Sequence, residues 1–186
     1  MDAMTFDIPG LVGLKVTMTE QADGSIRFDL VNQGVQVGDL RGLFFDTNDA
    51  ALLSTLSVAG PQVTKVASGD DSVVNLGGGV NMQGVDAFDV GVAFGTAGIG
   101  KDDIQSTSFT LRSSNGALDL DDFAGVDFGA RFTGVGDAGG SRDGSLKLVG
   151  GSPYTIAEPP IDGPTVDWPP IDIPPIEAPH FETPAI

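Results

Sequence analysis

Two runs of alternating apolar and polar residues, joined by a turn, decide the fold: Leu14-Lys-Val-Thr-Met-Thr-Glu-Gln-Ala-Asp-Gly-Ser-Ile-Arg-Phe-Asp-Leu30. The apolar residues stand at every second position, namely Leu14, Val16 and Met18 in the first run and Ile26, Phe28 and Leu30 in the second. The intervening Ala22-Asp-Gly-Ser25 has the residue types of a tight turn. One apolar and one polar face is typical of antiparallel strands that pack on a core from one side.

The same period of two recurs along the chain to about residue 150. It is seen at Phe88, Val90, Val92 and Phe94, at Val126, Phe128, Ala130 and Phe132, and at Leu146 and Leu148. The chain contains 27 Gly, and a helical fold is disfavoured because each Gly in a helix interior costs about 1 kcal/mol relative to Ala. We therefore predict an all-β fold, an antiparallel two-sheet sandwich or jelly roll of about nine strands.

One segment departs from the period of two. The stretch Asn48-Asp-Ala-Ala-Leu-Leu-Ser-Thr-Leu56 begins with residues that cap helices and continues with helical spacing of its apolar residues. We expect a single short helix there.

The composition changes near residue 152. Ten of the twelve Pro lie between Pro153 and Pro184, and no Lys or Arg follows Lys147. The sequence therefore predicts two parts, a β-sandwich domain of residues 1–152 and a proline-rich tail of residues 153–186.

The tail is built on a five-residue repeat with Pro second, a bulky apolar residue fourth and an acid fifth. From Glu158 it reads Glu-Pro-Pro-Ile-Asp, Gly-Pro-Thr-Val-Asp, Trp-Pro-Pro-Ile-Asp, Ile-Pro-Pro-Ile-Glu, Ala-Pro-His-Phe-Glu, and then Thr-Pro-Ala-Ile. The apolar residues of these pentads are Ile161, Val166, Trp168, Ile171, Ile173, Ile176, Phe181 and Ile186. Because Pro fixes its own φ and restricts the residue before it, we expect an extended, polyproline-like chain.

The regular apolar residues of the pentads indicate a binding segment. Each such side chain supplies about 1.5–3 kcal/mol of transfer free energy when it is buried, before ordering costs. A repeat of five residues also suits a series of equivalent pockets, as on neighbouring copies of one protein. The tail is therefore expected to pack on a neighbouring subunit or on a surface or matrix protein. Docking on its own domain, or a linker or solubilising role, are the alternatives.

The charge excludes several partners. The chain has 26 Asp and Glu against nine Lys and Arg, a formal net charge of −17. Such a surface repels nucleic acids and anionic membrane surfaces and attracts divalent cations. No apolar run approaches the roughly 20 residues that a membrane helix needs, so we expect no membrane span.

Catalytic residues are scarce. The chain has no Cys, and its one His, His180, lies in the tail. The acid pairs Asp70/Asp71, Asp102/Asp103 and Asp121/Asp122 sit in or beside glycine-rich turns without an aromatic platform for a sugar, so a glycan-acting enzyme is disfavoured. We predict that the protein is not an enzyme.

Oxygen-rich loops indicate calcium instead. Asp46, Asn48 and Asp49 form the best local set, and Asp102 and Asp103 form a second, because Ca²⁺ takes six to eight oxygen ligands. The alternative is that Asn48 or Asp49 caps the short helix and that the other acids are solvated turn residues.

Four segments resemble a β-sandwich module of secreted bacterial surface proteins, a module found with repeats-in-toxin calcium repeats or surface-sorting signals. They are Gly38-Asp-Leu-Arg-Gly-Leu-Phe-Phe-Asp46, Leu76-Gly-Gly-Gly-Val-Asn-Met-Gln-Gly84, Phe88-Asp-Val-Gly-Val-Ala-Phe-Gly-Thr-Ala-Gly-Ile-Gly-Lys-Asp-Asp-Ile104 and Ser141-Arg-Asp-Gly-Ser-Leu-Lys-Leu148. The resemblance implies an extracellular or cell-surface bacterial protein that tolerates calcium and has no catalytic activity. This chain lacks the Gly-Gly-x-Gly-x-Asp repeats of those proteins.

Two functions follow as hypotheses. The first is a non-enzymatic extracellular structural protein of a filament, surface layer or matrix, in which residues 153–186 pack on a neighbour. The second is a calcium-dependent adhesion or glycan-binding module, with the tail as a spacer.

Overall fold

The structure, a computed structural model, describes residues 2–96 and 101–154 and consists of two antiparallel five-stranded sheets with an additional hairpin. The strands of the described residues are β1 (Ala3–Ile8), β2 (Leu14–Glu20), β3 (Ile26–Asn32), β4 (Val37–Phe45), β5 (Leu56–Ala59), β6 (Val63–Val73), β7 (Asn75–Gly77), β8 (Val80–Asn81), β9 (Phe88–Phe94), β10 (Ser106–Ser113), β11 (Asp127–Gly136) and β12 (Gly144–Gly151). The prediction of an all-β, two-sheet sandwich is confirmed, with twelve strands in this part of the chain.

The two sheets have the strand orders β1-β2-β3-β10-β5 (the first sheet) and β12-β11-β4-β9-β6 (the second sheet). The stretch that decides the fold forms the β2–β3 hairpin, in which Leu14 pairs with Asn32 and Glu20 with Ile26. Its alternating apolar side chains all point into the space between the sheets and are fully buried. The period of two therefore marks the inner face, as expected for sheets that are solvated on one side.

Phenylalanine rings fill the centre of the sandwich. The Phe28 ring of the first sheet stacks on Phe109 at 4.5 Å between centroids and on Phe45 of the second sheet at 5.5 Å. Phe123, from the turn after β10, meets Phe28 edge-on at 6.2 Å. These rings join the two sheets, since ring pairs at such distances add to the free energy of burial.

The short helix expected at residues 48–56 is a single 3₁₀ turn, Ala50–Leu52. The Asp49 carboxylate caps it by accepting a hydrogen bond from the backbone N–H of Ala51 at 2.9 Å. Strand β5 already begins at Leu56, so only one turn fits between the cap and the strand. A second 3₁₀ turn covers Leu120–Phe123.

The β7–β8 hairpin, which we call the outer hairpin (Asn75–Asn81), packs on the outer face of the second sheet. It builds a second hydrophobic core from Phe44, Val73, Leu76, Val80, Met82, Phe88 and Ala93. At its tip Gly77, Gly78 and Gly79 have φ of +81°, +59° and +84°, a run of left-handed backbone that L side chains rarely adopt.

Glycines on the second sheet let the outer hairpin approach closely. A Cβ atom on Gly42 of β4 would lie 2.6 Å from a methyl carbon of Val80, and one on Gly129 of β11 would lie 2.7 Å from the terminal carbon of Met82. Side chains at these two positions would force the hairpin away from the sheet, because overpacking a filled interface is destabilising.

The described residues reach only the base of the predicted tail. Strand β12 ends at Gly151, and the pentads lie outside the described residues, so the division near residue 152 stays a prediction. None of the helical segments described is long and apolar enough to cross a membrane.

Candidate metal centre

Three aspartates from three neighbouring strands come together at one end of the second sheet. Asp46 directly follows β4, Asp71 lies in β6 and Asp89 lies in β9. One carboxylate oxygen of each lies within 4.8 Å of those of the other two. The strand order explains the cluster, because β9 pairs with β4 on one side and with β6 on the other.

Asp89 is held at the centre of the cluster by the backbone. The residue is 5% exposed, and its two carboxylate oxygens accept hydrogen bonds from the backbone N–H of Asp71 at 2.9 Å and of Thr47 at 3.0 Å. Two such bonds compensate for part of the loss of hydration. The Asp89 carboxylate therefore holds the backbone at Asp71 and at Thr47, the residue after Asp46.

Asp71 reaches the cluster through an irregular stretch of β6. The register with β9 shifts between Ser68 and Val73. Within that shift Asp71 has φ +43°, the one left-handed φ of a residue other than Gly in the described chain. Aspartate tolerates this conformation better than most residues. The irregularity turns the Asp71 backbone N–H towards the buried carboxylate of Asp89.

Asp46 lies in a strongly anionic environment. Its Oδ1 accepts a hydrogen bond from the backbone N–H of Asp89 at 3.0 Å. Burial is the main cause that raises the pKa of Asp46 to about 6; the hydrogen bond from the Asp89 N–H opposes it, and the nearby carboxylates of Asp89, Asp127 and Asp71 reinforce it. A half-buried carboxylate next to three others keeps a proton at pH values at which an ordinary Asp is ionised.

No Lys or Arg within the described chain forms an ion pair with these three aspartates. The four ion pairs found there join other residues, namely Arg27 with Asp29, Arg41 with Asp39, Arg112 with Asp23 and Arg142 with Asp103. Within the described residues, the carboxylates of Asp46 and Asp89 are therefore stabilised by backbone N–H groups and not by cationic side chains.

The cluster has the donor chemistry of a hard divalent cation. Ca²⁺ bonds carboxylate oxygens at about 2.3–2.6 Å, so oxygens around one ion lie up to roughly 5 Å apart. The separations of the three carboxylates fall within this limit. A carboxylate oxygen that accepts one hydrogen bond retains a second lone pair, and therefore Asp89 has capacity left for an ion.

Of the best predicted calcium set, only Asp46 belongs to this cluster. The Asn48 side-chain amide donates hydrogen bonds to the carbonyls of Asp121 and Ala124, each at 2.9 Å. Asn48 thus clamps the loop after β4 to the turn that precedes β11. Asp49 caps the 3₁₀ turn, as the capping alternative states.

The second predicted set lies in the loop between β9 and β10. Asp103 forms a two-pronged ion pair with Arg142, at 2.5 and 2.7 Å, which lowers the pKa of Asp103. Asp102 Oδ2 accepts hydrogen bonds from the backbone N–H and the hydroxyl of Thr96, at 2.8 and 3.3 Å. The Asp102 contacts join two parts of the loop that precedes β10, and the Asp103 ion pair joins this loop to the segment between β11 and β12.

Sequence reasoning missed Asp71 and Asp89 as partners of Asp46. The signal for Asp89 was an acid inside the otherwise apolar run of β9, where a charged side chain needs a compensating partner. The signal for Asp71 was the Gly69-Asp-Asp-Ser72 interruption of an alternating strand. Neither signal says which strands are neighbours.

Comparison of the chain with protein-family models, with curated proteins and with solved structures finds no match in any of the three. The candidate site is therefore judged by its geometry.

The raised pKa of Asp46 predicts a pH dependence of stability. Between about pH 4, the ordinary pKa of Asp, and pH 6, the folded chain holds a proton that the unfolded chain has lost, so the contribution of Asp46 to the free energy of unfolding falls as pH rises. Asp46→Asn keeps an oxygen for the Asp89 N–H and removes this loss. With a chelator present to remove divalent cations, we expect the Asp46→Asn variant to melt at a higher temperature than wild type at pH 7. The difference between the two melting temperatures should be smaller at pH 4.5.

Asp70→Asn serves as the control, because Asp70 is exposed and lies beside the cluster in sequence. It should leave the pH dependence of melting unchanged. Equal pH dependence of wild type and Asp46→Asn would show that the cluster does not perturb Asp46.

Proposed function

We propose that the protein is a non-enzymatic extracellular structural protein that assembles through its C-terminal pentads on neighbouring copies. The observation that carries this proposal is the repeat itself, in which an apolar residue recurs at the fourth position of six successive pentads from Ile161 to Ile186. A solvated linker has no need of such residues, and regular spacing suits a row of equivalent sites on an assembly.

Acids in and beside one pocket have structural roles, which favours the non-catalytic interpretation. A pocket of about 520 Å³ near the base of the tail is lined by acids that include Glu20 and Asp119. Glu20 accepts a hydrogen bond from the backbone N–H of Leu120 at 3.2 Å, and Asp119 forms a reciprocal capping box with Asp122. These carboxylates stabilise the 3₁₀ turn that supports Phe123 in the core.

The charge of the whole chain also suits regulated assembly. With 26 acids and nine bases, copies of the chain repel one another at low ionic strength. Salt or divalent cations shorten the range of this repulsion. Close packing is therefore expected under the ionic conditions found outside cells.

Replacing the apolar fourth residues by Ser tests the proposal on the full chain. The variant carries Ser at positions 161, 166, 171, 176 and 181 and keeps every Pro and acid, so extension and charge are unchanged. We expect wild type to form large assemblies in sedimentation and electron microscopy and the variant to remain monomeric, because five of the eight apolar residues of the pentads are lost.

The control changes third positions of the same pentads, Thr165→Ser and His180→Ser, and should assemble like wild type. A wild-type chain that stays monomeric at high concentration, with salt and calcium present, would refute the proposal.

The cluster of Asp46, Asp71 and Asp89 favours a second candidate, a calcium-dependent adhesion or glycan-binding module. In this case Ca²⁺ joins the ends of three strands, stabilises that end of the sandwich and presents it to a ligand. The tail then serves as a spacer.

Calcium titration of two matched variants tests the second candidate. Asp71→Asn removes a carboxylate of the cluster and should weaken calcium binding by about tenfold or more, as loss of a ligand or of its support typically does. Asp70→Asn removes the same charge next to it and should bind as wild type. Calorimetry at pH 7 gives both affinities. If the two variants weaken calcium binding equally, the binding depends only on the net charge and not on the cluster.

A further inference from the structure

We propose that the face around the outer hairpin is the receptor for the pentads, and that it binds residues 158–186 of a neighbouring copy. This inference rests on the proposed function and names the surface that assembly uses. It is carried by a pocket with apolar walls, by a row of basic side chains in this acidic protein, and by the matching chemistry of the pentads.

The pocket lies between the tip of the outer hairpin and the β6 edge of the second sheet. It has a volume of about 360 Å³ and is lined by Leu76, Val80 and Ala93 together with Arg41 and Lys65. Its walls are mainly apolar, and the charged groups among its lining residues are both cationic. Such a pocket suits an apolar side chain that is followed by a carboxylate.

The register of the second sheet extends the two cations into a row. Across the five strands Lys147 pairs with Arg131, Arg131 with Gly42, Gly42 with Ala93, and Ala93 with Lys65. Three basic residues therefore lie on one line across the outer face. With Arg41 beside that line, this face holds four of the nine Lys and Arg of the chain.

Most of this positive charge is not balanced by carboxylates. Arg131 donates to the carbonyls of Gly79 and Leu146 at 3.2 Å each, and Lys147 donates to the carbonyl of Gln83. The Lys65 side chain is exposed and has no ion pair or hydrogen bond with a described residue. Arg41 is the exception, since Asp39 lies 3.9 Å away.

The basic side chains flank the hairpin tip on both sides. A Cβ atom on Gly77 would lie 3.9 Å from Nζ of Lys65, and Arg131 bonds the carbonyl of Gly79 on the other side. Lys65 and Arg131 are three strands apart, roughly 14 Å at the usual strand spacing. Acids one pentad apart in a polyproline-like chain are separated by about 15 Å. Successive acids of the tail thus match the two sides of the tip.

The chemistry of the tail fits this face better than other surfaces. Residues 155–186 contain six acids and no Lys or Arg, so an acidic body repels them except where bases collect. Each full pentad has an apolar residue followed by an acid. This order suits an apolar pocket that is lined in part by the cations Arg41 and Lys65. The occupant is therefore a pentad, its apolar residue in the pocket and its acid at Lys65.

Charge reversal at Lys65 tests the inference on the full chain. Lys65→Glu changes an exposed side chain without a described partner, so the fold should persist. We expect the concentration for half-maximal assembly to rise about tenfold, and a fluorescent peptide of residues 158–177 to bind the variant about tenfold more weakly than wild type. Lys15→Glu makes the same charge change on the first sheet and should behave as wild type.

A charge swap provides the rescue. Combining Lys65→Glu with Asp167→Lys and Asp172→Lys in one chain should restore assembly. If Lys65→Glu leaves assembly intact and the Ser substitutions in the pentads abolish it, this receptor is overturned. The proposed function then still stands. If the wild-type chain never assembles, the proposed function is overturned. In that case the receptor is still supported if Lys65→Glu weakens binding of the peptide and Lys15→Glu does not.

Discussion

The close approach of the outer hairpin to the second sheet is the constraint on which the rest of this molecule depends. Gly42 and Gly129 leave room for Val80 and Met82 on a face that is solvated in an ordinary sandwich. The hairpin covers this face with a second hydrophobic core. It follows β6 directly, so its position also fixes the strand that brings Asp71 to the candidate metal centre and Lys65 to the pocket.

Charge is distributed unequally over this fold. The aspartate cluster gathers negative charge at one end of β9, and the row from Lys147 to Lys65 gathers positive charge across the middle of the same sheet. In a chain of net charge −17, this basic row is the place to which our proposal assigns the acidic tail of a neighbour. Both features depend on side chains that point outward from the second sheet, away from the phenylalanine core.

The period of two was sufficient to predict the all-β sandwich, because the apolar residues at every second position of a strand mark the face that is buried. The cap at Asp49 could also be predicted from the sequence, since capping depends on residues that are neighbours in sequence. The cluster around Asp89 and the row through Arg131 were not, because both depend on strand order and register between segments far apart in the chain. The predicted short helix is only one 3₁₀ turn long, because β5 begins at Leu56 and leaves room for a single turn.

The most direct measurement is photo-crosslinking from the pentads in a mixture of isotope-labelled and unlabelled full-length chains. A photoreactive residue at position 171, in the third pentad, should attach to the outer hairpin, Asn75–Asn81, and mass spectrometry should find cross-links between labelled and unlabelled molecules. Cross-links that avoid the hairpin, or that join only residues of one molecule, would contradict the claim that this hairpin face receives the tail of a neighbour.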